Sequence, residues 1–126
     1  MKVLQVVETA YRATLEEQDD TVVWITHAMK GAGADLSVLL KGNAVTYAVK
    51  GQDASGLSFG SWKQTQPPRL DRDIGSLVGK GVAVHAIAED LVERGLANSK
   101  LVEGVALVSR GDLPKLFDAH DQVWQW

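Results

Sequence analysis

The chain contains no cysteine among its 126 residues. It therefore forms no disulfide bond, builds no thiolate metal site and offers no thiol nucleophile. The three histidines, His27, His85 and His120, do not follow a metal-ligand spacing. A zinc site would have to depend on histidine and carboxylate side chains alone, so we predict neither a bound metal nor a cofactor.

Strong net charge and long apolar runs are also missing from the sequence. The formal net charge is −3, and there is no basic stripe of the kind that nucleic-acid-binding proteins carry. No apolar run approaches the roughly 20 residues that span a bilayer, and the first residues do not resemble a signal peptide. We therefore expect a cytoplasmic protein that binds neither nucleic acid nor membranes.

The residues that are present indicate one α/β domain over residues 1–126. Hydrophobic residues make up 45% and charged residues 23% of the chain, which is typical of a globular domain. Short runs rich in Val, Leu and Ile alternate with amphipathic stretches, and this rhythm predicts βαβ units around a mostly parallel sheet flanked by helices. The five predicted strands are 3–7, 36–40, 82–87, 105–108 and 122–126.

The segment 21–26 has two interpretations. Its sequence, TVVWIT, has a high β propensity when taken alone. Its continuation at helical spacing, after a run of acidic residues, favours a helix that begins near Asp19 and ends at Gly31 or Gly33. We predict the helix and leave the strand open. Elsewhere, Asn43 and Ser109 are predicted to cap the helices that follow the second and fourth strands.

The segment 52–69 differs from the rest of the chain. It is rich in Gly, Ser and Gln and contains Pro67 and Pro68. A loop of this length in a small domain is often functional, although a mobile surface excursion explains it equally well. Three tryptophans are our interface candidates, because buried tryptophan dominates binding hot spots. They are Trp62 in this loop and Trp124 and Trp126 near the end of the chain. Core packing is the alternative for each.

Any ligand pocket is expected at the carboxyl ends of the strands, where parallel sheets bind ligands. Backbone amides at the helix starts after Asn43 and Ala88 are suited to an anion, but the first strand is not followed by a phosphate-binding glycine pattern. His85, with Glu89, is a candidate general base, although such a histidine is more often hydrogen-bonded in the core. The predicted pocket residues are Glu8, Thr9, Gly42, Asn43, His85, Ala88 and Glu89.

Four blocks of the sequence stand out, namely "LSVLLKGNAVTYAVKG", "GVAVHAIAEDLVERGL", "LVEGVALVS" and the tail "HDQVWQW". Together they resemble the DsrE/DsrF/DsrH-like family of sulfur-relay proteins, and the tail is similar to the DsrH-type subunits. The resemblance spans nearly the whole chain. It implies a flavodoxin-like fold assembled into trimers or hexamers.

The resemblance also implies what this chain lacks. In the sulfur-transferring members, a cysteine near the end of the third strand accepts a persulfide, and matching the blocks places that position at Ile87. An isoleucine side chain has no group that can carry sulfur. The resemblance therefore implies a member without sulfurtransferase activity of its own.

Three functional hypotheses follow from the sequence. The first is a non-catalytic, oligomeric accessory protein of sulfur-relay or sulfur-oxidation machinery, which contacts itself and sulfur-relay proteins through its helices and the loop 52–69. The alternative is a small-ligand-binding or sensory module that uses the strand-end pocket. The third is a cysteine-independent enzyme that uses His85 with Glu89.

Overall fold

Five parallel strands form the central sheet of this computed structural model, which describes residues 1–11, 19–52 and 56–126. The elements in chain order are β1 (Lys2–Val7), α1 (Thr21–Gly31), β2 (Asp35–Leu40), a 3-10 helix (Gly42–Ala48), β3 (Ser58–Phe59), β4 (Trp62–Lys63), α2 (Leu70–Gly79), β5 (Ala83–Ile87), α3 (Ala88–Glu93), β6 (Ala106–Val108), a short 3-10 helix (Arg110–Asp112), α4 (Leu113–Asp118) and β7 (Gln122–Gln125). The strand order is β6-β5-β2-β1-β7. The prediction of a five-stranded parallel sheet flanked by helices is confirmed.

β1 and β2 are buried on both faces, which is why four of the six positions in each strand are apolar. Alternate side chains of β1, β2 and β5 join a large core with α1, the first 3-10 helix and α2 on one face. On the opposite face, a smaller cluster formed by Leu4, Val6, Leu39 and Ile87 packs against α4. The sheet therefore separates a broad core from a narrow one.

The segment 21–26 is helical, which confirms the favoured interpretation. Asp20, one residue after the predicted start, is the N-cap, and its Oδ1 accepts hydrogen bonds from the amides of Val22 at 2.8 Å and Val23 at 3.1 Å. Val22 and Val23 also belong to the buried face of the helix. A side-chain cap and tertiary burial together outweigh the β propensity of these residues.

Of the two other predicted caps, Asn43 is wrong, and Ser109 occupies the cap position without making a capping bond. Asn43 lies inside the first 3-10 helix, where Lys41 is the cap residue without a side-chain bond, and the Asn43 side chain instead accepts a hydrogen bond from Arg94. Ser109 is the N-cap residue of the second 3-10 helix, which leads into α4, but its hydroxyl donates to the carboxylate of Asp112 and accepts no backbone amide. In each case the polar side chain bonds a charged side chain, Arg94 or Asp112, instead of a backbone amide at the helix start.

The segment 52–69 contains a short antiparallel hairpin, β3–β4, rather than only irregular chain. Phe59 pairs with Trp62 across a two-residue loop, in which Gly60 has a φ of 58°. Glycine adopts such a positive φ without strain, and tight hairpin loops need it. The hairpin therefore gives Trp62, the loop's interface candidate, a defined position.

Candidate functional site

The carboxyl ends of β1, β2, β5 and β6 meet at one edge of the sheet because these strands are parallel. Chain segments that follow these ends carry most of the predicted pocket residues. Glu8, Thr9, Gly42, Asn43, Ala88 and Glu89 all follow the end of a strand. This edge is the candidate site, and the binding of a ligand there stays a prediction.

Asp90 is the central carboxylate of this edge. It is only 5% exposed, and its Oδ2 accepts the amide N–H of Gly42 at 2.8 Å while its Oδ1 pairs with the guanidinium of Arg110. Burial alone would raise the pKa of Asp90, but the bonds from Gly42 and Arg110 and the charges of Arg110 and Arg94 hold it below its ordinary value. The ionised carboxylate of Asp90 on α3 therefore links the turn after β2 to the chain after β6.

Arg110 connects the chain after β6 to two further carboxylates on α3. Its guanidinium lies 2.8 Å from Glu93 Oε1, and its backbone N–H donates to Glu89 Oε2 at 2.9 Å. The hydrogen bonds with Asp90 and Glu93 raise the pKa of the arginine further above its already high value. The three carboxylates of α3, those of Glu89, Asp90 and Glu93, are thus all engaged by the chain's own arginine.

A second group of polar contacts surrounds Gly42. Arg94 Nε donates to Asn43 Oδ1 at 2.9 Å, and Lys41 Nζ lies 3.8 Å from Glu8 Oε2. Gly42 has a φ of 57°, and a Cβ at this position would lie 3.4 Å from Glu8 Cγ. Such a contact is of ordinary length, so it is the positive φ that favours glycine at this turn.

Four backbone amides at this edge are occupied by acceptors from the protein, whereas anion binding at the helix starts after Asn43 and Ala88 stays a prediction. Glu8 and Thr9 donate their N–H groups to the carbonyl oxygen of Trp126 at 3.0 and 3.2 Å. The amide of Gly42 donates to Asp90, and that of Arg110 donates to Glu89. A ligand that used any of these amides would have to displace an internal hydrogen bond, which costs the energy of leaving a polar group unpaired.

Ile87, the position matched to the family's acceptor cysteine, lies inside the smaller core. It is 1% exposed and packs with Leu4, Val6 and Leu39. A buried hydrocarbon at the end of β5 leaves no reactive atom at the place where the resemblance puts the chemistry.

The burial of Ile87 predicts the reactivity of a cysteine placed there. We expect the thiol of Ile87→Cys to react with an aromatic disulfide reagent at least about 100-fold more slowly in the folded protein than in denaturant, because buried thiols are inert. Ser109→Cys, at an exposed position after β6, is the matched control and should react fast in both conditions. Equal rates for the two folded variants would show that the strand end is open.

His85 is not part of the strand-end cluster. The alternation along β5 places it on the sheet face that α4 covers, in register with Leu39 and Ala106. Burial lowers the pKa of His85, and the charge of His120 lowers it further. Within the described ranges no hydrogen bond joins His85 to Glu89, whose carboxylate accepts from Arg110 instead. The structure thus does not assemble the predicted catalytic pair.

Other candidates for chemistry give no site either. Of the residues that the structure describes, no three His, Asp or Glu side chains come together as metal ligands. His120 donates Nδ1–H to the carbonyl of Leu116 at 2.7 Å, which leaves a buried Nε2 without a partner among the described residues. Across residues 1–11, 19–52 and 56–126, no helix has the length and apolar character to cross a bilayer.

The three tryptophan candidates occupy different environments. Trp62 is exposed on the hairpin, beside Phe59. Trp124 is half-buried on β7 and donates Nε1–H to Gln122 at 2.9 Å, and Trp126 donates Nε1–H to the side chain of Gln5 at 2.6 Å. Trp24 on α1 is also exposed, although the sequence analysis did not name it as an interface candidate.

Two solved structures share this arrangement of strands and helices. The ychN protein from E. coli aligns over 100% of both chains with a TM-score of 0.71 and 18% sequence identity. A conserved protein of unknown function from Bacteroides thetaiotaomicron, BT1422, aligns over 99% of this chain and 95% of its own, with a TM-score of 0.64 and 13% identity. The chain has the flavodoxin-like α/β fold. At these identities the likeness extends to the fold alone.

The sequence comparisons add no family. No protein-family model matches the chain, and no curated protein matches it. We therefore infer the function from the geometry of the strand-end edge and from the surfaces that the fold leaves exposed.

Proposed function

We propose that this protein is a non-catalytic, oligomeric accessory member of the DsrE/DsrF/DsrH-like class, which acts in the cytoplasm through contacts with itself and with sulfur-relay proteins. The observation that carries the proposal is the state of the strand-end edge. The position of the acceptor cysteine is a buried isoleucine, and Gly42 and Arg110 beside it are tied to carboxylates of α3. Such an edge is built to be rigid rather than reactive.

The association with sulfur relay comes from the sequence blocks and the fold taken together. The blocks that resemble the family run through β2, β5 and β6, and the flavodoxin-like fold is the one that the resemblance implies. A chain that keeps such a fold without its nucleophile still has surfaces for assembly. Exposed aromatic side chains on the hairpin offer one such surface, since aromatic residues are enriched at interface hot spots.

The first test of the proposal is the absolute mass of the purified protein, measured by light scattering after size exclusion. One chain has a mass of 13.6 kDa, and we expect a particle of three or six chains. A particle of one chain at every concentration tested would refute the oligomeric assembly.

The second test addresses the partner. A cysteine-bearing sulfur-relay protein of the same fold, loaded with persulfide, is titrated with this protein in a calorimeter. We expect binding while the donor keeps its persulfide, because this chain has no thiol to receive the sulfur. The absence of any binding heat across several such donors would count against the sulfur-relay role and leave the assembly itself unaffected.

A further inference from the structure

Two histidines, His85 and His120, lie on the sheet face that α4 covers. Alternation along β5 sets His85 on this face, and His120 follows the last residue of α4 by two positions. Burial lowers the pKa of His85, and the charge of His120 lowers it further, so the two rings are close enough to repel each other when both are protonated. We call these two residues the histidine pair.

The contacts of His120 fix its tautomer. Its Nδ1 lies 2.7 Å from the carbonyl oxygen of Leu116. A carbonyl oxygen only accepts hydrogen bonds, so Nδ1 carries the hydrogen of the neutral ring. Nε2 is buried and has no partner among the described residues. A proton added to Nε2 becomes a buried donor without an acceptor, which is unfavourable in the folded protein.

The charged side chains around the histidine pair do not offset a second proton on it. β6 and β7 bring no charged residue to this face. The remaining strands, α4 and the turn after it carry five charged side chains, and all five are exposed: Lys2, Asp35, Lys115, Asp118 and Asp121. Among the residues that the structure describes, none of these five forms an ion pair or a hydrogen bond with either histidine.

α4 is the element most easily released from this face. It has six residues, Leu113–Asp118, and a helix this short is not stable by itself in water. Its packing on the smaller core is made by Leu113 and Leu116, which are both half-buried. Release of α4 gives the histidine pair to solvent and uncovers apolar side chains of the sheet, among them Leu39 and Ile87.

We propose that the histidine pair is a pH-sensitive latch, which holds α4 on the sheet at neutral pH and releases it in mild acid. The closed form accommodates at most one proton on the two rings, whereas the released form binds two, so acid favours release. The stability that neutral His85 contributes is therefore full above the unfolded-state pKa of about 6.5 and is lost as the pH falls from there towards the lower pKa of the closed form. The latch adds to the proposed function an apolar surface that is available only in acid.

Amide hydrogen exchange of the full chain, measured by mass spectrometry at pH 7.5 and pH 5.5, tests the latch. After correction for intrinsic exchange rates, we expect the protection of residues 113–120 to fall about 10-fold at the lower pH. This is the factor by which one proton, accepted only in the released form at a pKa of about 6.5, shifts the equilibrium. The first 3-10 helix, on the opposite face of the sheet, should change by less than about twofold. An equal loss in that helix would mean that the whole domain opens, and it would overturn the latch.

The three histidines provide the variants and the control. His85→Gln removes the ring that burial keeps neutral, so the loss of protection at 113–120 should shrink below about twofold. His120→Gln keeps a donor for the Leu116 carbonyl and removes the smaller cause, so its loss should lie between those of His85→Gln and the wild type. His27→Gln, on α1 across the sheet, should respond as the wild type does. A His85→Gln response equal to that of the wild type would rule the latch out.

Imidazole NMR of the wild type is a second test that needs no substitution. We expect the His85 ring to titrate at a lower pH in the folded protein than in urea, and the nitrogen shifts of neutral His120 to report its hydrogen on Nδ1. If His85 titrates at the same pH in both conditions, the proposal fails, whether or not His85→Gln folds.

Discussion

Asp20→Ala is expected to lower the free energy of unfolding by about 3 kcal/mol. The Asp20 carboxylate is almost fully buried. One of its oxygens caps α1 through the amides of Val22 and Val23, and the other accepts the hydroxyl of Tyr47 at 2.6 Å. Loss of an N-cap costs about 1 kcal/mol, and a buried hydroxyl without its acceptor costs about 1–3 kcal/mol more.

The environment of Tyr47 explains why its partner matters. Burial raises the pKa of Tyr47, and the hydrogen bond to Asp20 raises it further, so the hydroxyl keeps its proton and donates it to the carboxylate. The hydroxyl oxygen of Tyr47 also accepts the backbone N–H of Tyr11. The Tyr11 ring packs edge-on against the Tyr47 ring at a centroid distance of 5.2 Å. Removal of Asp20 therefore disturbs the start of α1 and the packing at the end of β1 together.

Urea denaturation at pH 7 measures this loss, with two controls. Asp20→Asn keeps an oxygen for the cap, so we expect it to lose less than half as much stability as Asp20→Ala. Asp35→Ala, at an exposed position that begins β2, should change the free energy of unfolding by less than about 0.5 kcal/mol. A loss below about 1 kcal/mol for Asp20→Ala would mean that this network does not stabilise the fold.

The sequence predicts the sheet well because the central strands carry their own signal. β1 and β2 are mostly apolar, each interrupted by one buried polar residue, Gln5 or Ser37, and β2 is bounded by Gly33 before it and Gly42 after it. Burial on both faces leaves a pattern that local reasoning can detect. The start of α1 is harder, since its β-branched residues fit a strand equally well. The contact that helps to fix it is made by Tyr47, 27 residues from Asp20.

The location of the candidate site follows from the topology, but the hydrogen bonds that hold its residues together do not. Parallel strands must end at one edge, which places Gly42 and Glu89 there. The bond from Gly42 to Asp90 joins residues 48 positions apart, and the bond from Arg94 to Asn43 joins residues 51 positions apart. No local periodicity encodes such pairs. The sheet face of His85 does follow from the sequence, because alternation along β5 sets it opposite Val84 and Ala86.

Asp90→Ala is expected to lower the free energy of unfolding by about 2 kcal/mol. The substitution leaves the amide of Gly42 without its acceptor and removes one of the two carboxylates that hold the Arg110 guanidinium. Breaking a fully buried ion pair costs about 3–5 kcal/mol. The loss here is smaller because the Arg110 side chain is 47% exposed and keeps Glu93 as a partner.

The pH dependence of Asp90→Asn isolates the charge of this carboxylate. The pKa of Asp90 in the folded protein is below its ordinary value, so its ionised form stabilises the fold above the unfolded-state pKa of about 3.9. That stabilisation is lost as the pH falls through the folded-state pKa. The stability difference between wild type and Asp90→Asn should therefore be full at pH 5 and shrink as the pH is lowered below about 3.9. A difference that stays constant over this range would assign the role of Asp90 to its shape and hydrogen bonds rather than to its charge.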